Sequence, residues 1–244
     1  MRTLIIPDIH GRTFWKDAVS SVTYDMAVFI GDYVDPYPWE KITRKSTISN
    51  LSEIIEFKKQ NREKTILLLG NHDCSYIDRM FQRARFDSSN QYKIRELFLS
   101  NLSLFQLAYE EERNGVRYLY THAGLIPSWL EDNHFIINKE TLVDDLNKLI
   151  SFKGGKTALT CISKFRTSYG AWYGSIIWSD LMERHYVNGD LPNTYQIFGH
   201  SQQEDNPVIT DTFACLDIRR PFILDDDNEI KEIDGSPINY VLKK

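Results

Sequence analysis

Leu4-Ile5-Ile6-Pro7-Asp8-Ile9-His10-Gly11 sets the grammar of the chain: an apolar run, then a carboxylate and an imidazole, then a glycine. The same order returns in Ala27-Val28-Phe29-Ile30-Gly31-Asp32-Tyr33-Val34-Asp35 and in Ile66-Leu67-Leu68-Leu69-Gly70-Asn71-His72-Asp73. Two further runs, Tyr118-Leu119-Tyr120 and Tyr195-Gln196-Ile197-Phe198, lead into Thr121-His122-Ala123-Gly124 and Gly199-His200-Ser201. Each run reads as a buried strand, and each strand ends in Asp, Asn or His beside a glycine that permits a sharp turn. Ligands of open α/β sheets bind at the carboxyl ends of the strands. The chemistry is therefore expected along one sheet edge.

The residues between these runs extend the pattern. A helix is expected near residues 14–22, with Thr13 as a possible cap. A second covers 46–59, where Ile48, Leu51, Ile54, Ile55 and Phe57 recur at helical spacing. This β-α-β-α-β order predicts a mostly parallel sheet with right-handed crossovers. Two prolines and two aromatics in Asp35-Pro36-Tyr37-Pro38-Trp39 suggest an ordered surface loop. Residues 92–112 read as one helix with a core stripe from Ile94 to Leu107, and Glu110-Glu111-Glu112 as its solvated end. Another helix is expected over 139–150, capped by Asn138 or Thr141, followed by an irregular stretch to 185. Short strands are expected at 213–218, 222–224, 230–233 and 238–242. Asp225-Asp226-Asp227-Asn228 lacks the glycine and terminal glutamate of an EF-hand loop and reads as a hairpin turn. Two sheets packed face to face, with helices outside, is the natural arrangement.

A length of 244 residues fits a single domain over 1–244 and buries a full core without staples. A net charge of −5 argues against a partner held by bulk electrostatics such as nucleic acid. The cysteines, Cys74, Cys161 and Cys215, are odd in number and widely spaced, which favours reduced thiols. Cys74 is read as a small packed residue rather than a ligand. No segment reaches the length of a membrane span, and Met1-Arg2-Thr3 runs straight into a strand without a signal peptide, so a cytoplasmic protein with no membrane partner is expected.

Four of the six histidines fall in the strand-end segments; His134 and His185 do not, and read as surface residues. Asp8 and His10 lie two apart, so on an extended strand end they point the same way and can grip one ion. Asp32 follows on the neighbouring strand, and a carboxylate has two oxygens with which to bridge two cations. Asn71 offers a neutral oxygen, and His122 and His200 offer imidazole nitrogens. Mixed N/O ligation without thiolate suits Mn first, with Fe or Zn as further choices, over Ca or Mg. Two such ions, about 3.5–4 Å apart, clamp a phosphoryl group and activate a bridging water or hydroxide.

In order, Pro7-Asp8-Ile9-His10-Gly11, Gly31-Asp32-Tyr33-Val34-Asp35, Gly70-Asn71-His72-Asp73, Thr121-His122-Ala123-Gly124-Leu125-Ile126-Pro127 and Gly199-His200-Ser201 resemble the signatures of the calcineurin-like metallophosphoesterases. Within them the chain is most similar to the phosphoprotein (serine/threonine) phosphatase branch, including its bacterial and phage-type members. Trp178-Ser179-Asp180 resembles a short motif of that branch. The resemblance implies a mixed α/β fold, a four-layer αββα sandwich with two mixed sheets. It implies Asp8, His10 and Asp32 at a first metal, Asp32, Asn71, His122 and His200 at a second, and His72 as general acid for the leaving oxygen, paired with Asp35. The implied partner is a phosphorylated protein or small molecule.

The chain departs from the branch where Pro36-Tyr37 replaces the Arg-Gly that usually follows Gly-Asp-x-Val-Asp. Pro7 stands for a glycine and Asp73 for a glutamate. A phosphomonoester dianion favours a bidentate guanidinium. Arg166 is the sequence's candidate replacement, with Arg184 behind it. A phosphomonoesterase is the first reading. A diadenosine tetraphosphatase-like or other diester-cleaving enzyme, a nuclease included, is the alternative, since exposed aromatics in 169–178 could stack bases. A non-catalytic binding scaffold is the third reading, though it predicts eroded ligands and every expected ligand is present.

Overall fold

The computed structural model describes residues 1–187 and 190–233. In chain order the elements are β1 (Thr3–Ile6), α1 (Phe14–Ser21), β2 (Met26–Phe29), α2 (Arg44–Gln60), β3 (Thr65–Leu68), α3 (Asn71–Ile77) and α4 (Gln91–Ser100). Then come β4 (Phe105–Gln106), β5 (Ala108–Arg113), β6 (Val116–Thr121), α5 (Pro127–Asp132), α6 (Leu142–Lys148) and α7 (Lys153–Leu159). The last described strands are β7 (Thr194–Phe198), β8 (Val208–Ile209), β9 (Phe213–Cys215), β10 (Phe222–Leu224) and β11 (Ile230–Glu232).

Two mixed sheets result. The first runs β11-β10-β1-β2-β3-β4, with β1 to β4 parallel and the hairpin β10–β11 added antiparallel at the β1 edge. The second runs β5-β6-β7-β9-β8, with β6, β7 and β9 parallel and β5 and β8 antiparallel at the edges. The period of two explains the layers. Ile5, Val28 and Leu68 point from the first sheet into one cluster with Tyr118, Tyr120, Ile197 and Ala214 of the second. Their neighbours Leu4, Ile6, Ala27, Phe29 and Leu67 point the other way, into a cluster with Trp15, Ile48, Leu51 and Ile54 of the helices. Leu119 leaves the opposite face of the second sheet and belongs with Trp129, Leu130, Leu142 and Leu146. The chain is thus a helix–sheet–sheet–helix sandwich.

The helix expected over 92–112 ends early. α4 stops at Ser100, and the chain turns into β4 and β5. Glu110-Glu111-Glu112 is not a solvated helix end but part of a strand: Glu110 and Glu112 are exposed while Glu111 is buried. Its carboxylate survives there because Thr3 and Tyr120 hydroxyls donate to it (3.0 and 2.9 Å) and Arg113 Nε donates at 2.8 Å. Arg113 also donates to Thr3 Oγ1 at 2.7 Å and to the Asp225 carbonyl at 2.8 Å. A buried charge that is paired and hydrogen-bonded can replace an apolar residue in a core.

Smaller differences are local. Thr13 occupies the cap position of α1 without a capping hydrogen bond. Thr141 precedes α6 and donates to Asp145 rather than capping. The strand expected over 213–218 ends at Cys215. Asp225–Asn228 is the expected hairpin turn, with Asp225 Oδ1 accepting the N–H groups of Asp227 and Glu229. The strand expected over 238–242 lies outside the described residues. Cys74, Cys161 and Cys215 are free, and no described helix is long and apolar enough to cross a membrane.

Candidate metal centre

Five loops meet where β1, β2, β3, β6 and β7 end. Their backbone is bent to do so: His10 (φ 42°), Asp32 (φ 50°), Asp35 (φ 59°) and His200 (φ 63°) are all left-handed. Each non-glycine residue held there costs on the order of 1–3 kcal/mol, and such strain gathers at functional sites. The loops also pack too closely for side chains at two points. A Cβ on Gly70 would lie 2.1 Å from Asp32 Oδ1, and one on Gly199 would lie 2.3 Å from Asp8 Oδ1.

Asp73 locks three of these backbones together. Its Oδ2 accepts N–H groups of Gly70 (2.9 Å) and Asp32 (2.8 Å), and its Oδ1 accepts Tyr33 N–H (2.9 Å). His72 N–H donates to Asp32 Oδ1 at 3.0 Å, which leaves Oδ2 to face the site. Arg12, ion-paired with Glu40 at 2.7 Å, donates to the Asp8 carbonyl at 3.2 Å. On the far side Ser179 Oγ donates to the carbonyls of Ala123 (2.5 Å) and Gly124 (3.1 Å), while Trp178 sets its ring edge-on to His200, 5.8 Å between centroids.

Asp32 is the centre. Its Oδ2 lies 3.6 Å from His10 Nε2 and 3.5 Å from His122 Nε2. Both imidazoles are aimed by backbone carbonyls: His10 Nδ1 bonds Val34 O at 2.7 Å, and His122 Nδ1 bonds Ile30 O at 3.0 Å. A carbonyl can only accept, so Nδ1 carries a proton and Nε2 is turned toward Asp32, the way metal-ligating histidines are oriented. His122 Nε2 also meets Asn71 Oδ1 and His200 Nδ1, each at 3.1 Å. Two donor groups share Asp32: His10, Asp32 and His72, and Asp32, His122 and His200, each with ligand atoms within 4.8 Å of one another. Asp8 is buried beside the two groups, its Oδ1 accepting His200 N–H at 3.2 Å and lying 4.0 Å from His122 Nδ1. His72 Nδ1 pairs with Asp35 Oδ2 at 2.9 Å, and Tyr76 OH donates to Asp35 Oδ1 at 2.5 Å.

The electrostatics follow from packing ionisable groups together out of water. Burial alone would push the Asp32 carboxyl up, but His122, His72 and His10 around it hold it well below the usual carboxylate range. Burial pushes His122 down, yet Asp32 and Asp8 prevail and raise it to about 9. Burial drives His10 and His200 well below the ordinary histidine value, with Arg166 adding to the effect at His200. Burial and the neighbouring Asp217 raise Asp8. The donor set fits hard or borderline cations: carboxylate, amide oxygen and imidazole nitrogen, with no thiolate in either group. His200 Nε2 is buried with no hydrogen-bond partner among the described residues, an orphan of the kind a cation relieves.

With that geometry in place, comparison is decisive. The family model of the calcineurin-like phosphoesterases matches residues 1–204. The chain belongs to that family. Calcineurin-like phosphoesterases hydrolyse phosphoesters with a dinuclear metal centre, and this one has His/Asp groups that could hold it. The phosphoesterase matches no curated protein by sequence. Among solved structures it is similar to a cold-active protein-tyrosine phosphatase of a psychrophilic Shewanella sp., at 14% identity and TM-score 0.58, over 95% of this chain and 80% of that one. It is also similar to a protein serine/threonine phosphatase from Saccharomyces cerevisiae, at 14% identity and TM-score 0.56, over 97% and 80%. Both likenesses speak to the sandwich fold.

The phosphoesterase thus brings Asp8, His10, Asp32, Asn71, His122 and His200 together, with His72 in the same buried cluster and Asp35 paired behind it. Arg166 lies beside the His200 loop, paired with Asp180 at 2.6 Å and donating to Ser201 Oγ (2.6 Å) and His200 O (3.2 Å). Arg184 is not brought to the cluster: its guanidinium stacks over Phe198 and Phe213 and donates to Gln196, and burial lowers it to about 10. His134 and His185 are exposed, as expected. Three residues escaped sequence reasoning. Asp73 looked like a conservative replacement, and only its three backbone partners show its role. Asp217 follows a strand, the signal used for Asp8 and Asp32, but lacks an adjacent glycine. Arg85 carried no spacing signal at all.

Proposed function

We propose that the chain is a dinuclear-metal phosphomonoesterase, similar in action to a protein phosphatase. The observation that supports this most is the sharing of Asp32: one carboxylate oxygen stands 3.6 and 3.5 Å from the Nε2 atoms of two separately anchored histidines. We assign His10, Asp32 and Asp8 to one ion and Asp32, Asn71, His122 and His200 to the other, with Mn as the first candidate. When bound, the ions supply Lewis-acid polarisation of the phosphoryl group and make an attacking water more acidic. His72 keeps its Nδ1 proton on Asp35 and offers Nε2–H to the leaving oxygen, so that the product departs as an alcohol or phenol. Tyr76 holds the second Asp35 oxygen and so fixes the carboxylate's angle. Arg166 is engaged with Asp180, Ser201 and the His200 carbonyl, and we assign it first to holding the His200 loop.

We take residues 1–244 as one catalytic unit, because β10 and β11 return to complete the sheet that β1 begins. The three unpaired cysteines favour a cytoplasmic setting. The phosphorylated substrate is a protein or a small molecule.

The test is hydrolysis by manganese-supplemented protein of para-nitrophenyl phosphate against its bis-ester, with diadenosine tetraphosphate and a phosphopeptide alongside. Dominant monoester turnover is expected. Dominant diester or dinucleotide turnover would move the chain to the diester-cleaving reading.

A further inference from the structure

Residues 78–90 form an irregular stretch between α3 and α4, and they carry an arginine back to the cluster. Arg85 adopts a left-handed backbone (φ 50°) in an exposed position. Its Nε–H donates to the Asp35 carbonyl at 3.1 Å, and its Nη2 stands 3.2 Å from His10 Nε2. The guanidinium carbon lies 3.8 Å from the centroid of the Tyr37 ring, and Tyr37 stacks in turn on Trp39 at 4.7 Å. A guanidinium is permanently charged and carries five donors in a fixed fork. Here Nε is anchored on a backbone carbonyl, the guanidinium lies over the Tyr37 ring, and Nη2 reaches a nitrogen of the His10, Asp32 and His72 donor group. It comes from a different segment than the arginine that Pro36 displaces, but it stands over the same loop.

Beside it opens a cavity of about 310 Å³. Its walls include Pro36, Tyr37, Pro38, Ile42 and Phe86, and Asp35 and Arg85 belong both to the cavity and to the cluster. Asp35 is also the partner of His72, so the cavity begins where the leaving group would depart. The volume lies at the small end of small-molecule sites. The single methylene of an alkyl phosphate such as phosphoserine would leave most of it empty, whereas a flat ring between prolines and aromatic faces would fill it.

We propose that Arg85 grips the phosphoryl group of the substrate and that this cavity receives a ring-sized group ester-linked to it, making the substrate an aryl phosphomonoester. The proposal rests on the phosphomonoesterase reading above and names its substrate class.

Calorimetric titration of phenylphosphonate and methylphosphonate into manganese-loaded protein tests it without turnover, since neither ligand has a bond the enzyme hydrolyses. Wild type should bind phenylphosphonate roughly tenfold or more tightly than methylphosphonate, from burial of the ring. Arg85→Gln should weaken both ligands by roughly 10- to 100-fold, as expected for loss of a charged hydrogen-bond donor. Arg85→Lys should not restore them, because an ammonium lacks the fork. Ile42→Trp, at a half-buried position, should close the gap between the two ligands. Equal affinities in wild type would overturn the aryl cavity. Monoester hydrolysis with Arg85→Gln binding as tightly as wild type would overturn the grip while leaving the phosphomonoesterase reading intact. Hydrolysis of diesters alone, with both ligands still bound through Arg85, would overturn that reading and the substrate class with it.

Discussion

Two buried charged clusters sit in this sandwich, one closed and one open. In the first, Glu111 is held by protein groups: Thr3, Tyr120 and Arg113 donate to it, and Arg113 also donates to Thr3 and the Asp225 carbonyl. In the second, around Asp32, ligand-type atoms converge. His10 Nε2 and His122 Nε2 face the same oxygen, Asn71 Oδ1 and His200 Nδ1 crowd in at 3.1 Å, and His200 Nε2 has no hydrogen-bond partner among the described residues. Both clusters lie out of water; the closed one is held by an ion pair and hydrogen bonds within the protein, whereas the open one gathers ligand-type atoms around one carboxylate oxygen. The contrast is between a buried network whose partners are protein groups and which ties the two sheets together, and one whose aimed side chains could hold a cation.

The sharpest way to break this distinction is Asp32→Asn. It removes the shared charge, and activity should fall by roughly 10³-fold or more, the equivalent of several kcal/mol of lost metal assistance, read as kcat/KM on an aryl phosphate. His72→Ala should lower kcat by roughly 10²–10⁴-fold, the range for an acid catalyst. Its metal content should match wild type, and a variant that loses its ions would make His72 a ligand, as its place within 4.8 Å of His10 and Asp32 would allow. Glu111→Gln should act oppositely: by stranding Arg113 it should cost about 3–5 kcal/mol of unfolding free energy in urea titration, with kcat per folded molecule unchanged. Lost turnover with unaltered stability would erase the distinction. Tyr76→Phe should have the smallest effect, about 1 kcal/mol, seen as a several-fold drop in kcat from looser holding of Asp35.

The two clusters were unequally legible in the sequence. The open one announces itself locally, because each strand end couples an apolar run to Asp, Asn or His and a glycine within a few residues. The closed one is invisible at that range. Glu111 lies 108 residues from Thr3, and its neighbours Glu110 and Glu112 disguise a buried position as part of a solvated run. The same stretch misled the helix assignment: Phe98, Leu102 and Phe105 keep helical spacing, while β4 is only two residues long and offers no alternation to detect. Within the site, the spacing exposed the residues whose side chains point inward from strand ends. It did not expose Asp73, which acts on backbone N–H groups, or Arg85, which arrives from an irregular segment through a left-handed turn.

The most direct test is metal stoichiometry by elemental analysis, after manganese loading and removal of excess ions, on wild type and Asp32→Asn together. The account predicts two ions per wild-type chain and neither retained at full occupancy once Asp32 is neutralised. Two ions held equally by both proteins, or none held by wild type, would contradict it.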